Sequence, residues 1–424
     1  MRTLAVVLVA ASLSYLATAY PQDQRVLAKP HSPHVSKGPI NPAWSMSFRH
    51  QQSITTSPST GFVAFGDSYS AGIGTGFKGK EDDCRHGLHS HAKLIALDLA
   101  KSQGGPNTTA FQFLSCTGAT TADVLSGAED SQIDNFNTSL PADFALLSVG
   151  GNDLGFFEVM NACVFRFYNF YSGTCESALA NSQQHIESTE FEESLRILIM
   201  EILDKVRWEK KPWFFITMTG YARFFNEVTD ECDDMSFGVW WNGPKLTKKL
   251  RSSMNALVLT VNAKIRKTVE MINSSFTKEK IVFVDYDDAF EGHRFCELNV
   301  TEPDYNRNDT WFFLVGGNDN ARNKTKSAAT MYSKTLPPTS PLVGPSTCLM
   351  PAQRRGDWGE LALCYMAMAK HRDPTLRLAR ENITPLKNSG WYVPTYYAKT
   401  FHPRTLGQEA IRDAIYAKWH ELEE

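Results

Sequence analysis

The sequence predicts an α/β fold in which helices cover both faces of a five-stranded parallel sheet. Short apolar runs that are typical of buried strands alternate with longer segments whose apolar residues recur at helical spacing. The predicted strands are Phe62–Phe65, Phe111–Cys116, Phe144–Val149, Trp213–Thr217 and Ile281–Val284. Because parallel strands need crossover helices on both faces, this alternation predicts a three-layer α/β/α sandwich that binds ligands at the carboxyl ends of its strands.

Helices are predicted in the segments that flank these strands, at His91–Ala100, Glu190–Val206, Leu246–Ile272 and Leu406–Leu422. Between about residues 297 and 351 the pattern gives way to a polar stretch rich in Asn, Asp, Gly, Ser and Pro, which we interpret as an insertion in the core fold. An ordered lid and a solvated, glycosylated excursion both fit this composition, and the excursion is favoured.

Residues 1–58 are predicted to lie outside the folded domain, which would span residues 59–424. The first 19 residues contain Arg2, an apolar run over Leu4–Leu16 and the small residues of Ala17–Ala19, a pattern typical of a signal peptide. An uncleaved anchor is the alternative, but the run is too short to span a bilayer. Residues 20–58 lack apolar periodicity and are interpreted as a flexible leader or propeptide. The sequence therefore predicts a secreted protein.

Composition narrows the classes of partner. The formal net charge of −3 and the pI near 6.4 give no basic surface for nucleic acid, so the expected partners are neutral molecules. Eight cysteines behind a signal peptide indicate disulfides rather than metal ligands. The sequence does not indicate an oligomeric state.

N-x-S/T acceptor sites, predicted to be glycosylated, occur at Asn107, Asn137, Asn273, Asn299, Asn308, Asn323 and Asn382.

A candidate nucleophile follows the first predicted strand. Ser68 stands in the segment Phe65–Gly72, on a glycine-bounded turn at the carboxyl end of that strand. Enzymes with α/β folds keep reactive residues at this edge of the sheet. The plainer interpretation is that Ser68 only caps the next helix, and for a serine considered alone it would be preferred.

Two further turns are predicted to converge beside Ser68. Gly118 follows the second strand, and Asn152 follows the third in Gly150–Asp153. Acyl transfer needs fixed donors for a tetrahedral oxyanion. Gly118 can bring its backbone N–H close, and Asn152 offers a side-chain amide. Either residue alone could belong to an ordinary turn, but together with Ser68 they favour chemistry.

A candidate base precedes the predicted C-terminal helix. His402 has an ordinary pKa of roughly 6.5, so it can accept a serine proton at neutral pH and return it to a leaving alcohol. Taken alone, a surface histidine before a helix is the plainer interpretation. The G-x-S-x-G elbow of the commonest lipase fold does not occur here, and neither does a phosphate-binding glycine motif.

These segments resemble the sequence blocks of the GDSL/SGNH hydrolase family. The blocks occur in the family's order as Gly66–Tyr69, Gly118, Gly150–Asp153 and His402, and the resemblance spans about residues 62 to 423. It implies the flavodoxin-like SGNH fold and a carboxylic ester hydrolase that needs no cofactor and no metal. It further implies Ser68 as the nucleophile, His402 as the base, and the Ser68 N–H, Gly118 and Asn152 as the oxyanion donors.

The chain departs from the family three residues before the histidine. Members of the family usually have an acid there, whereas this chain has Lys399. The resemblance therefore assigns no triad acid. A main-chain carbonyl, such as that of Lys399, can hold the histidine tautomer instead, as in some relatives. This predicts a serine–histidine dyad.

The secreted branch that resembles bacterial GDSL lipases and esterases, and that is common in fungi, also implies a disulfide pattern. Cysteines pair in chain order there, which implies Cys84–Cys116, Cys163–Cys175 and Cys232–Cys296 and leaves Cys348 with Cys364. Sequence alone allows other pairings. The neighbouring histidines His86, His89 and His91 match no metal-binding spacing, so no metal is expected.

The expected function is hydrolysis of carboxylic esters through an acyl-enzyme on Ser68. Lipid acyl esters and acyl groups on plant-wall polysaccharides are both consistent with the resemblance, and the residues around the blocks do not separate them. The alternative, which the missing acid favours, is a secreted binding protein that keeps the fold without turnover.

Overall fold

The computed structural model describes most of the chain beyond residue 59. The described residues are 60–76, 81–105, 108–165, 174–237, 244–304, 307–314, 317–321, 364 and 395–422. The predicted signal peptide and leader, residues 1–19 and 20–58, lie outside the described residues.

Five parallel strands form one sheet. They are β1 (Thr60–Gly66), β2 (Thr109–Phe113), β3 (Phe144–Ser148), β4 (Phe215–Thr219) and β5 (Ile281–Val284). Their order across the sheet is β2-β1-β3-β4-β5, so the chain extends first to one side of β1 and then to the other. In a parallel sheet this reversal opens a crevice at the carboxyl ends of the strands beside β1.

Helices flank the sheet. They are α1 (Ser68–Ala71), α2 (His91–Ser102), α3 (Thr121–Val124), α4 (Gln132–Asn135), α5 (Phe156–Met160), α6 (Cys175–Glu187), α7 (Thr189–Val206), α8 (Lys248–Asn273), α9 (Thr395–Ala398) and α10 (Thr405–Glu421). A π-helical turn, Asn161–Phe165, extends α5. Helix α2 packs against α10, while α8 packs against α6 and α7. The predicted fold class is confirmed. Among the described helices, none has the length and apolar character needed to cross a membrane.

Aromatic side chains from three strands and the last helix form the centre of the core. The Phe62 ring on β1 lies 4.6 Å from Phe111 on β2 and 4.7 Å from Phe144 on β3. Trp419 of α10 packs edge-on against Phe144 at 4.9 Å and donates its indole N–H to the Thr217 hydroxyl at 2.8 Å. Aromatic pairs contribute ~0.5–1.5 kcal/mol beyond burial, and here they hold α10 against the sheet.

Three disulfides join pairs of described residues in loops and helix ends of this fold. They are Cys84–Cys116, Cys163–Cys175 and Cys232–Cys296. They join, respectively, the loop before α2 to the turn after β2, the π-helical turn to α6, and the loop after β4 to the loop after β5. The three pairs that the family resemblance implies are confirmed. The fourth, Cys348 with Cys364, falls outside the described residues because Cys348 does.

The insertion at residues 297–351 is described at 297–304, 307–314 and 317–321. Phe312 and Phe313 are buried, and Phe312 forms an antiparallel bridge with Pro403. The preference for a solvated excursion is therefore wrong for residues 310–314. The physical reason is the short apolar run Trp311–Leu314 within the polar stretch, which packs beneath the loop that carries His402.

Four predicted glycosylation sites lie on described residues. Asn137, Asn299 and Asn308 are exposed, and glycosylation there stays a prediction. Asn273 differs because its Nδ2 donates to the Ile281 carbonyl at 2.8 Å and its Oδ1 accepts the Ile281 N–H at 3.1 Å. The nitrogen that would carry a glycan is thus engaged at the start of β5. The remaining sites, Asn107, Asn323 and Asn382, lie outside the described residues.

Candidate active site

Ser68 begins α1 directly after β1. The strand ends at Gly66, whose φ is 126°, and a Cβ there would lie 2.0 Å from the Ser148 carbonyl oxygen, so only glycine fits. Asp67 caps α1, and its Oδ1 accepts the Tyr69 N–H at 2.9 Å. The glycine and the cap together place Ser68 at the carboxyl edge of the sheet, where ligands bind.

The imidazole of His402 lies against the Ser68 hydroxyl. Ser68 Oγ is 2.6 Å from His402 Nε2, and the two residues are only 7% and 6% exposed. The Thr400 carbonyl oxygen lies 3.1 Å from His402 Nδ1. Because a carbonyl can only accept, Nδ1 carries the hydrogen of the neutral imidazole, and Nε2 is left to accept the Ser68 proton.

The carbonyl within hydrogen-bond distance of Nδ1 is that of Thr400, while the Lys399 carbonyl, which the sequence suggested, also acts on the imidazole and raises its pKa. The Lys399 carbonyl accepts the backbone N–H of His402 at 3.0 Å. The turn at Phe401, with a φ of 65°, brings the imidazole back over the carbonyl two residues before it. A main-chain carbonyl oxygen thus lies where it can accept the Nδ1 hydrogen and hold the histidine tautomer.

The Lys399 ammonium is bound away from the imidazole. Its Nζ donates to the Gly317 carbonyl at 2.7 Å and lies 4.6 Å from the centre of the Phe313 ring. Burial lowers the pKa of Lys399 to about 8. Within the described part of the chain, no carboxylate lies within hydrogen-bond distance of His402.

Backbone pairing with the insertion holds the His402 loop. The Phe313 N–H donates to the His402 carbonyl at 2.9 Å, and the Phe401 N–H donates to the Phe313 carbonyl at 2.8 Å. The Tyr69 hydroxyl also donates to the Phe401 carbonyl at 2.8 Å. The Tyr69 bond therefore joins the helix that carries Ser68 to the loop that carries His402, in addition to the contact between Ser68 and His402 themselves.

Burial sets the protonation of the imidazole. It lowers the pKa of His402 to about 4, although the Thr400 and Lys399 carbonyls act in the opposite direction. His402 is consequently neutral at neutral pH, which is the state in which Nε2 can accept a proton.

Asn152 and Gly118 lie on neighbouring turns that a hydrogen bond joins. Asn152 Nδ2 donates to the Ala119 carbonyl at 2.9 Å, and Asn152 lines the same pocket as Ser68. A side-chain amide has two N–H donors, so the second remains for a ligand. Among the described residues, the backbone N–H groups of Ser68 and Gly118 donate no hydrogen bond. Each predicted oxyanion donor therefore keeps one N–H that donates to no other group of the described chain.

A pocket lies beside Ser68, between the strand-end turns and the helices α5, α6 and α8. Helix α6 lines it with Ser182. Its walls are otherwise mainly apolar: α5 and the turn before it contribute Leu154, Phe156, Val159 and Met160, and α8 contributes Met254, Leu257, Val258 and Val261. The α8 residues recur at helical spacing, so one stripe of that helix faces the cavity. An apolar group extending from the Ser68 hydroxyl would be desolvated here.

Tyr221, which follows β4, was not singled out from the sequence. Its hydroxyl donates to Asp67 Oδ2 at 2.9 Å and accepts the Gly151 N–H at 3.1 Å. The position after a strand end is the signal that could have found it. Burial raises the pKa of Asp67 to about 7, because the hydrogen bonds it accepts only partly offset its desolvation.

The three neighbouring histidines make separate contacts. His86 Nδ1 lies 2.8 Å from Asp82, His89 Nδ1 lies 2.9 Å from Thr405 Oγ1, and His91 Nδ1 lies 2.8 Å from Gln408. Two of them thus contact α10, and together they stabilise the start of the helix that follows His402. They do not converge on one point.

Comparison with known proteins identifies the family. Residues 62–311 match the model of the family described as GDSL-like Lipase/Acylhydrolase, a range that covers more than half of the chain. The chain belongs to this family. Ser68, Gly118 and Asn152 lie inside the matched range, and His402 lies beyond it.

Relatives of this GDSL-family chain include bacterial lipases. Lipase 1 of Streptomyces coelicolor is 27% identical over 250 residues, 58% of this chain and 76% of that protein. A lipase of Streptomyces rimosus is 27% identical over 238 residues, 56% of this chain and 74% of that protein. Among solved structures, an extracellular lipase from Streptomyces rimosus is 26% identical over 59% of this chain and 88% of its own, with a TM-score of 0.43.

Proposed function

We propose that this member of the GDSL family is a serine esterase that hydrolyses carboxylic esters with an apolar acyl group. The observation that carries the proposal is the 2.6 Å contact between Ser68 Oγ and His402 Nε2 beside an apolar pocket. A nucleophile within hydrogen-bond reach of a base, itself oriented by a third group, is the arrangement that acyl transfer requires.

The proposed reaction has two steps. Ser68 Oγ attacks the ester carbonyl while His402 Nε2 takes its proton, and the same proton then passes to the leaving alcohol. Water, deprotonated by His402, next attacks the acyl carbon, and His402 returns the proton to Ser68 Oγ as the carboxylic acid leaves. The Thr400 carbonyl supports the imidazolium that forms transiently, in place of a carboxylate. The Ser68 N–H, Gly118 and Asn152 are the proposed donors to the oxyanion.

The pocket favours lipid acyl esters over short acyl groups on carbohydrates. An acetyl group would leave most of the α5 and α8 side chains without a partner, whereas a longer chain gains about 0.8 kcal/mol for each methylene buried. Secretion is a further part of the proposal, supported by the signal-peptide pattern of residues 1–19 and by disulfides of the kind that form in oxidising compartments.

We expect the protein to hydrolyse p-nitrophenyl esters with a kcat/KM that rises with acyl length. In Val258→Phe, the larger side chain would fill part of the pocket. Excluding two or three methylenes would cost the longer esters about 10-fold or more in kcat/KM relative to the butyrate ester. The measurement is the chain-length profile of both proteins.

Leu259→Phe is the matched control, because Leu259 is the next residue of α8 but is 44% exposed and does not line the pocket. Its profile should equal that of the wild type. A wild-type preference for acetate, unaltered in Val258→Phe, would contradict the acyl pocket. A folded wild type without turnover of these esters, phospholipid or acetylated polysaccharide would instead favour the binding-protein alternative.

The pH dependence of kcat/KM should show an unusually low acid limb. His402 must be neutral to act as a base, and its pKa of about 4 keeps it neutral well below the ordinary range. Activity should fall as the pH drops through about 4, where His402 becomes protonated. A separate change in kcat/KM near pH 7 would be assigned to Asp67, whose pKa is about 7. The measurement is kcat/KM over the range in which circular dichroism shows the fold intact.

The imidazole can be followed directly by two-bond ¹H–¹⁵N spectra of wild type and His402→Ala, which assign the His402 signal by its absence. A His402 midpoint near 6.5 would contradict the expected effect of burial.

A further inference from the structure

Tyr221 is held rigidly between β4 and the reaction centre. Its backbone N–H donates to Asn262 Oδ1 at 2.8 Å, and Asn262 Nδ2 donates back to the Tyr221 carbonyl at 2.8 Å. The side chain is buried, and its ring packs edge-on against Tyr69 at 5.1 Å. With the backbone clamped to α8 and the ring packed on α1, the hydroxyl has little freedom to move.

That hydroxyl joins the turns after two different strands. It accepts the Gly151 N–H from the turn after β3 and donates to Asp67 Oδ2 in the turn after β1. An N–H can only donate, so the hydroxyl oxygen accepts from Gly151 and its own hydrogen is directed to Asp67 Oδ2. Asp67 immediately precedes Ser68, and Gly151 immediately precedes Asn152. One oxygen atom therefore fixes the spacing of these two turns.

The Asp67 carboxylate depends on this contact. Within the described part of the chain no lysine or arginine pairs with it, and its Oδ1 is already committed to the Tyr69 N–H. A buried carboxylate without a cation is stabilised by the hydrogen bonds it accepts. Removing the Tyr221 hydroxyl would leave Asp67 Oδ2 without its side-chain donor. It would also leave the Gly151 N–H without its acceptor.

We propose that Tyr221 is a positioning residue for ester hydrolysis, whose hydroxyl holds the Asn152 turn at the distance from Ser68 that oxyanion stabilisation requires. The inference rests on the proposed function. Oxyanion donors act because they are fixed before the reaction, and a displacement of ~1 Å in such a group can cost about 100-fold in rate. Tyr221 does not itself touch the reacting atoms and acts through Gly151 and Asp67.

The test is Tyr221→Phe, which removes one oxygen and keeps the ring. We expect kcat to fall ~10-fold while KM stays within about 2-fold, because the donor geometry matters in the transition state rather than in substrate binding. The rate of inactivation by a p-nitrophenyl alkylphosphonate, whose adduct carries an oxyanion-like oxygen, should fall in parallel. In an Asn152→Ala background, Tyr221→Phe should cost less than about 3-fold, because the group it positions is already gone.

Tyr416→Phe is the matched control. It also removes a tyrosine–aspartate contact, the 3.4 Å one from Tyr416 to Asp98 between α10 and α2, but it touches neither turn. Its kcat should equal that of the wild type. If Tyr221→Phe does not fold, Asp67→Ser serves instead, because serine can still cap α1 but is too short to reach the Tyr221 hydroxyl; the same loss of kcat and the same non-additivity are expected.

A folded Tyr221→Phe with wild-type kcat would overturn the proposal, as would a full ~10-fold loss in the Asn152→Ala background. Neither result would affect the esterase proposal itself. That proposal fails separately, if the wild type shows no turnover or if Ser68→Ala keeps it.

Discussion

Ser68→Ala and His402→Ala are each expected to lower kcat by about 10⁴-fold or more, and the double variant should be no slower than the worse of the two. The reason is that nucleophile and base act as one unit. Without Ser68 Oγ there is nothing to acylate, and without His402 Nε2 the hydroxyl keeps its proton. The measurement is kcat with a medium-chain p-nitrophenyl ester, on proteins with matching melting temperatures.

Ser70→Ala is the control for this pair. Ser70 lies on the same helix as Ser68 and is buried, but its hydroxyl bonds to Ser115 Oγ at 2.7 Å rather than to the imidazole. Its loss should leave kcat within about 3-fold of the wild type. Equal activity in Ser68→Ala and wild type would show that the observed turnover does not come from this serine.

Asn152→Ala is expected to lower kcat by about 10²–10³-fold with little change in KM. A side-chain N–H aimed at a developing oxyanion is worth roughly this much when water is excluded, and it contributes little to the neutral ester. Asn152→Asp should be at least as slow, because it places a carboxylate where negative charge develops. Steady-state kinetics across several acyl lengths would measure both.

Asn152 also donates to the Ala119 carbonyl, so a loss of stability must be separated from a loss of catalysis. Melting temperatures and the affinity for a non-reactive ester analogue serve this purpose. If Asn152→Ala raised KM and left kcat within about 3-fold, the residue would bind substrate without stabilising the oxyanion.

Local sequence patterns predicted the sheet well. Most strands are short runs of buried, mainly apolar residues, and the ends of the first three carry the motifs, so Ser68, Gly118 and Asn152 could be assigned to turns from the sequence. The bounds of four strands differ from the prediction: β4, for example, begins at Phe215 rather than Trp213, and β2 ends at Phe113 rather than Cys116. The reason is that a strand ends where its backbone hydrogen bonds to the neighbouring strand end, and a run of apolar residues in the sequence does not mark that position.

Features that depend on distant parts of the chain could not be predicted in this way. The carbonyl at the imidazole depends on a left-handed φ at Phe401, which a phenylalanine gives no reason to expect. The packing of Phe312 and Phe313 under the loop that carries His402 depends on contacts formed across a long insertion. The Tyr221 contacts join three strand ends, and no local pattern marks the hydroxyl that makes them.

The separation of Ser68 and His402 along the chain also bears on biosynthesis. The two residues lie 334 positions apart, and the loop that carries His402 is held by residues 311–313 and by Tyr69. A nascent chain that extends past β5 but not yet to His402 contains the five described strands but lacks the proposed base. Synthesis therefore delays the assembly of a complete reaction centre until nearly the whole fold exists, so partly made chains should be inert toward the esters around them.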